Sequence, residues 1–240
     1  MSMHEHEVWV AQDAAVVLRG CLTVPEEPRA VVVFAQPSSN GRHELQTRLL
    51  TGVLADAGLA SLVVDLLTEA EEEERDSRGF VRSRADLDLL VRRLINTSRW
   101  LPQLHLTRGL GVGYYGAGVA GAAALIAASC EPHRIGAVVA RGGRLDLLDD
   151  EQLSSIWAPT LLLAPRDDLG LLTANRNAME HMVTDKHLAL LPGGDAPTAQ
   201  RSGLELLAGM TREWFLRHLA TADAEQSWSV AWSYTAQQGA

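Results

Sequence analysis

Six short apolar runs alternate with stretches of helical periodicity, and that alternation leaves the chain few folds to choose from. The runs are Ala30–Ala35, Ala60–Leu67, Gly111–Tyr115, Gly136–Ala140, Thr160–Ala164 and His187–Leu191. The first reads Ala-Val-Val-Val-Phe-Ala, a β-branched run with no polar alternation, which fits a strand buried on both faces. Between the runs, apolar residues recur at helical spacing. Leu45, Leu49, Leu50, Val53 and Leu54 mark one face of a helix over Arg42–Ala57, with Gly58 as its stop. Leu87, Leu90, Val91, Leu94 and Ile95 mark a second helix, Val119–Ser129 a third, and Leu204, Leu207, Met210 and Trp214 the last, over Ser202–Leu219.

Strands separated by helices need crossover connections, so the sheet is mostly parallel with helices on both faces. Val8–Val10 and Ala15–Val24 add a leading antiparallel pair, for about eight strands in all. Nothing splits the series, so residues 1–220 read as one α/β domain and residues 221–240 as a C-terminal tail. In that tail Trp228, Val230, Trp232 and Tyr234 alternate with Ser229, Ala231, Ser233 and Thr235. A period of two predicts an extended segment lying on an apolar surface of its own subunit or of a partner. Trp228, Trp232 and Tyr234 are therefore the expected contacts in a homo-oligomer, most simply a dimer, or with a partner protein.

Composition narrows the function classes. The 240 residues carry a formal charge of −9 and show no basic stripe, which argues against a nucleic-acid partner. The most apolar stretch, Gly118–Ser129, is too short to span a bilayer, and the first residues lack the basic and apolar regions of a signal peptide. Cys21 and Cys130 stand in no metal or redox spacing and read as two buried reduced thiols. These features predict a cytoplasmic protein with no membrane span, metal or bound cofactor. His4 and His6 read as part of a frayed terminus. The acidic run Glu69–Asp76, with Glu71–Glu74 at its centre, reads as a solvated loop.

Two readings compete for Gly113-Tyr-Tyr-Gly-Ala-Gly-Val-Ala-Gly121. Gly116–Gly121 satisfies G-x-G-x-x-G between a strand and a helix, as in an NADP-binding reductase, with Arg141 and Arg144 placed for a 2′-phosphate. Against this, the motif lies in mid-chain and the usual acidic ribose partner is absent. The alternative is a nucleophile elbow whose nucleophile is missing.

The second reading rests on segments beyond the turn. Val31–Gln36, the stretch Ala57–Leu67 followed by acids, Gly113–Gly118, Val138–Arg144, Ala158–Leu163, Leu190–Gly193 and Glu213–His218 together resemble, in order and spacing, the dienelactone-hydrolase-like branch of the α/β-hydrolases. The resemblance covers Val31 to Leu219. It implies the α/β-hydrolase fold and a site built from an elbow nucleophile, a histidine base, a carboxylate orienter and backbone oxyanion donors. Carried over by position, the nucleophile falls on Gly118 and the base on Asp195 or Ala196. The oxyanion loop, where His-Gly is usual, falls on Gln36-Pro37. Glycine cannot form an acyl-enzyme, alanine cannot take a proton, and proline has no N–H to donate. Of the eight histidines none stands at the base position, and only the orienter survives, as Asp168 or its neighbour Asp167.

Three departures in separate segments are not one inactivating substitution. The resemblance thus implies a binding, regulatory or assembly protein that keeps a small-ligand cleft near Gln36, Pro37, Arg42, His43, Ala117, Gly118, Val119 and Asp168. A second expectation is an enzyme with a relocated site on the same scaffold, a lyase, isomerase, cyclase or atypical hydrolase, using Gln36, Arg42, His43 and Asp168. Ser38 and Ser39 read as turn or cap residues, Tyr115 as packing beside the elbow, and Arg166 with Asp167 and Asp168 as a surface ion cluster. His181 and His187 flank a turn without a third ligand, so no metal site is expected.

Overall fold

The computed structural model describes residues 3–37, 45–76, 84–192 and 197–219. Eight strands form one sheet: β1 (Met3–Ala11), β2 (Val17–Pro25), β3 (Ala30–Gln36), β4 (Leu59–Asp65), β5 (Gly111–Ala117), β6 (Ile135–Arg141), β7 (Thr160–Pro165) and β8 (Lys186–Leu191). Their order is β1-β2-β4-β3-β5-β6-β7-β8. β1 pairs antiparallel with β2, and β2 with β4. From β4 onward every pairing is parallel. Among the described residues seven α-helices accompany the sheet: α1 (Leu45–Asp56), α2 (Glu69–Asp76), α3 (Arg84–Trp100), α4 (Val119–Cys130), α5 (Asp150–Ser154), α6 (Leu169–His181) and α7 (Pro197–Leu219).

The apolar runs are buried because both faces of the sheet are covered. On β3, Val31, Val33 and Ala35 join the core under α3 and α4, while Ala30, Val32 and Phe34 join the core under α1 and α7. Tyr114 and Tyr115 part in the same way on β5. Helix α4 is buried from Ala120 to Ala128, and its alanines let it lie close to the central strands. This is the α/β-hydrolase architecture that the alternation and the resemblance predict.

Four expectations are corrected. Residues 3–6 are not frayed: they pair with β2, His4 opposite Val24 and His6 opposite Leu22. Their side chains are exposed, so apolar periodicity carries no trace of them. The acidic run is a helix, not a loop. Thr68 and Glu71 cap it reciprocally: the Thr68 N–H donates to Glu71 Oε2 at 2.9 Å, and the Glu71 N–H to Thr68 Oγ1 at 3.4 Å. The thiols are not both buried, since Cys21 is half-buried and Cys130, at the end of α4, is exposed. The last helix begins at Pro197, five residues before Ser202, because proline suits a first helical turn. Among the described residues no helix is long and apolar enough to cross a membrane.

Candidate functional site

The chain leaves β3 for β4 on one side of the sheet, and later leaves β5 for β6 on the other. The connections therefore diverge above the carboxyl ends of β3 and β5. At such a switch point an open parallel sheet leaves a crevice for ligands. Gln36 and Pro37 stand at the end of β3, Ala117 ends β5, Gly118 makes the turn and Val119 opens α4. All five are half-buried.

The turn is tight and tied down. Gly118 has φ 57° and ψ −123°, a conformation that side-chain-bearing residues rarely adopt. Its N–H donates to the Arg141 carbonyl at 2.9 Å, and its own carbonyl accepts from the Gly121 and Arg144 N–H groups at 3.1 and 3.3 Å. Two residues earlier, a Cβ on Gly116 would lie 2.4 Å from the Ala120 carbonyl oxygen, so only glycine fits. At Gly118 the opposite holds. Among the described residues nothing lies within 4 Å of where its Cβ would stand. Among the described residues the turn thus presents open space where a side chain would project, beside the amino end of α4.

Polar groups support the floor. The Gln36 carbonyl accepts from the Leu66 N–H at 2.7 Å, which ties the end of β3 to the end of β4. Gln36 Nε2 donates to Thr47 Oγ1 at 3.3 Å, and Gln46 Nε2 to the Tyr115 hydroxyl at 3.3 Å. Tyr115 stacks on Phe34 with ring centres 4.8 Å apart. Gln46 and Thr47 are missing from the sequence-based expectations. Their signal was there: Thr47 is a polar residue on the inward face it shares with Leu50 and Leu54.

Asp168 is on the same edge of the sheet but follows β7, about 10 Å away, or two strand spacings from β5. It is exposed and its Oδ1 accepts from the Leu171 N–H at 2.9 Å, so it is the N-cap of α6. A cap, rather than a surface ion cluster with Arg166 and Asp167, is its observed role. Arg144, considered for a 2′-phosphate, is engaged by Asp146 through two hydrogen bonds of 2.8 and 2.7 Å. Ser38, Ser39, Arg42, His43, Asp195 and Ala196 lie outside the described residues, as do Trp228, Trp232 and Tyr234. His181 Nδ1 sits 3.5 Å from Asp150 Oδ1, and His187 lies on β8. Among the described residues no three His, Cys, Asp or Glu side chains group as metal ligands.

A strong electrostatic perturbation lies outside the crevice, at Glu71. Burial raises the Glu71 carboxyl, but hydrogen bonds from Arg93 and Thr68 outweigh it and hold the group at about 2. Arg93, buried on α3, donates to Glu71 Oε2 at 2.6 Å, to Glu71 Oε1 at 2.9 Å and to the Leu66 carbonyl at 2.8 Å. The pair fastens α2 and the end of β4 to α3.

No protein-family model matches the chain. It is 39% identical over 217 residues, 90% of its length, to proteins from two strains of Mycobacterium tuberculosis described as "putative phosphoribosyl transferase". The chain spans about half the length of these curated relatives (47%). Among solved structures it is similar to a dienelactone hydrolase from Anabaena variabilis, with TM-score 0.81 and 37% identity, covering 90% of this chain and 99% of that one. A Pyrococcus furiosus esterase shares the fold at TM-score 0.71 and 15% identity, covering 90% of this chain and 94% of that one. Its strand order, its turn at Gly118 and its end-to-end similarity to the Anabaena protein agree: the chain belongs to the dienelactone hydrolase family of the α/β-hydrolase fold.

Proposed function

We propose that this protein keeps the cleft of the dienelactone hydrolase scaffold for a small oxygen-bearing ligand and does not carry out hydrolysis through a Ser/Cys–His–Asp triad. The observation that carries the reading is Gly118. The turn has the strained geometry of a nucleophile elbow, yet the residue in it has no side chain and faces open space. Three further features support it. Pro37 has no N–H to offer an oxyanion, Asp168 is committed to capping α6, and the sequence carries Asp195 and Ala196 where the resemblance places the base. Among the described residues the crevice keeps the Gln36 amide and the amino end of α4. Its role is that of a ligand-binding regulatory or assembly unit.

The test is turnover of aryl esters and unsaturated lactones by the purified protein. The expected rate equals that of an inert protein control. Turnover above the control that survives Asp168→Ala would overturn the reading and favour a relocated active site on the same scaffold.

The Mycobacterium relatives supply a second reading, phosphoribosyl transfer, through their description alone. About half of each relative lies outside the match, so their description is not tied to the half that this chain matches. Calorimetric titration with phosphoribosyl pyrophosphate is expected to show no binding to this chain. Saturable binding would move the transferase reading to this domain.

A further inference from the structure

The connections that enter the parallel strands cross the amino-terminal edge of the sheet, opposite the crevice. Four consecutive connections carry apolar or aromatic side chains there. Leu106 precedes β5, His133 precedes β6, Trp157 precedes β7 and Val183 precedes β8. Leu106 is 43% exposed, Trp157 53% and Val183 73%. The row is knit together: the His133 ring meets the Trp157 ring edge-on at 5.4 Å, and Thr184, next to Val183, donates its hydroxyl to the Trp157 carbonyl at 2.8 Å. Exposed apolar side chains on successive connections make a row on which an apolar segment can pack.

The described chain ends at this edge. Leu219, the last residue of α7, lies against Gly136 at the start of β6, and its carbonyl faces Gly111 at the start of β5. Twenty-one residues follow, and among them Trp228, Val230, Trp232 and Tyr234 recur at every second position. Eight residues lie between Leu219 and Trp228, nine Cα-to-Cα steps that reach up to about 30 Å. The row from β5 to β8 is about 14 Å across, and an extended Trp228–Tyr234 is about 20 Å long. The tail starts beside the row, can reach all of it, and carries apolar residues at the period of an extended segment.

We propose that residues 220–240 cover the amino-terminal edge of their own subunit's sheet, with Trp228 and Trp232 packed on Trp157 and Val183. The cover lies on the opposite edge from the candidate cleft, so it stands or falls independently of the proposed function.

The test is hydroxyl-radical footprinting of the full chain beside the full-length Trp228→Ser/Trp232→Ser variant, with far-UV circular dichroism to show that both are folded. Trp157 should be oxidised about threefold faster in the variant, with the monomeric mass unchanged in both proteins. Hydrogen exchange at residues 228–234 of the unmodified chain should be slowed at least about tenfold relative to an unstructured peptide, and Trp157→Ser should remove that protection. Equal labelling of Trp157 in both proteins would overturn the proposal. So would protection of the exposed Trp9 on β1 in place of Trp157. Protection found only in a dimer that the double substitution dissociates would assign the cover to a second copy and overturn it as well.

Discussion

The turn at Gly118 and the Glu71–Arg93 pair are opposites. Gly118 holds a backbone conformation that a side chain would strain, and it carries no side chain. Glu71 has the lowered carboxyl that draws attention to active sites, yet its hydrogen bonds with Thr68 cap α2 and those from Arg93 join α2, α3 and the end of β4. Perturbed titration marks functional sites in general, but structural ion pairs perturb it too. Here the distinction is geometric. Glu71 faces a buried guanidinium, whereas among the described residues nothing lies within 4 Å of where a Cβ on Gly118 would stand.

The comparison can be broken first at the fastening. Arg93→Met leaves Glu71 without its partner, and the stability loss by urea unfolding is expected at about 2–4 kcal/mol, with Glu71's partial exposure placing it below a fully buried pair. Its pH signature follows from the depressed carboxyl. The folded value of about 2 lies below the ordinary 4.5, so the stabilisation is present above about 4.5 and fades as pH falls from there toward 2. The stability gap between the parent protein and Glu71→Gln should close over that window. A gap independent of pH would mean that the pair is not what holds α2.

A smaller effect is expected at the turn. Gly118→Ala places a Cβ in open space but forces alanine to φ 57°, so about 1–2 kcal/mol should be lost to backbone strain alone. An unchanged unfolding midpoint would show that the turn relaxes and is no rigid elbow. The smallest effect should come from Asp168→Ala, about 1 kcal/mol for a lost helix cap. A loss of ligand binding with no change in stability would instead return Asp168 to the cleft.

The fold was legible because its strands are buried on both faces, and that burial leaves an unbroken apolar run such as Ala30–Ala35. β1 was only partly legible, since the exposed residues 3–7 owe their strand to pairing with β2 and not to their own hydrophobicity. α2 was misread because its acids suggested solvation, although Thr68 and Glu71 stood at the spacing of a capping box. The turn at Gly118 was legible as a motif in strand–turn–helix context. Its meaning was not, because glycines serve phosphate binding and elbow geometry alike. The structure separates the roles of those glycines: Gly116 is forced by contact and Gly118 by backbone angle. Gln46 and Thr47 went unnoticed because a polar residue on a helix's inward face becomes a site residue only once its neighbours, Gln36 and Tyr115, are known.

The central claim is that this scaffold holds elbow geometry without a covalent nucleophile. Incubation with a fluorophosphonate, followed by intact-protein mass spectrometry, tests it most directly. The parent protein's mass is expected to stay unchanged. A stoichiometric adduct on any residue bordering the Gly118 crevice would contradict it.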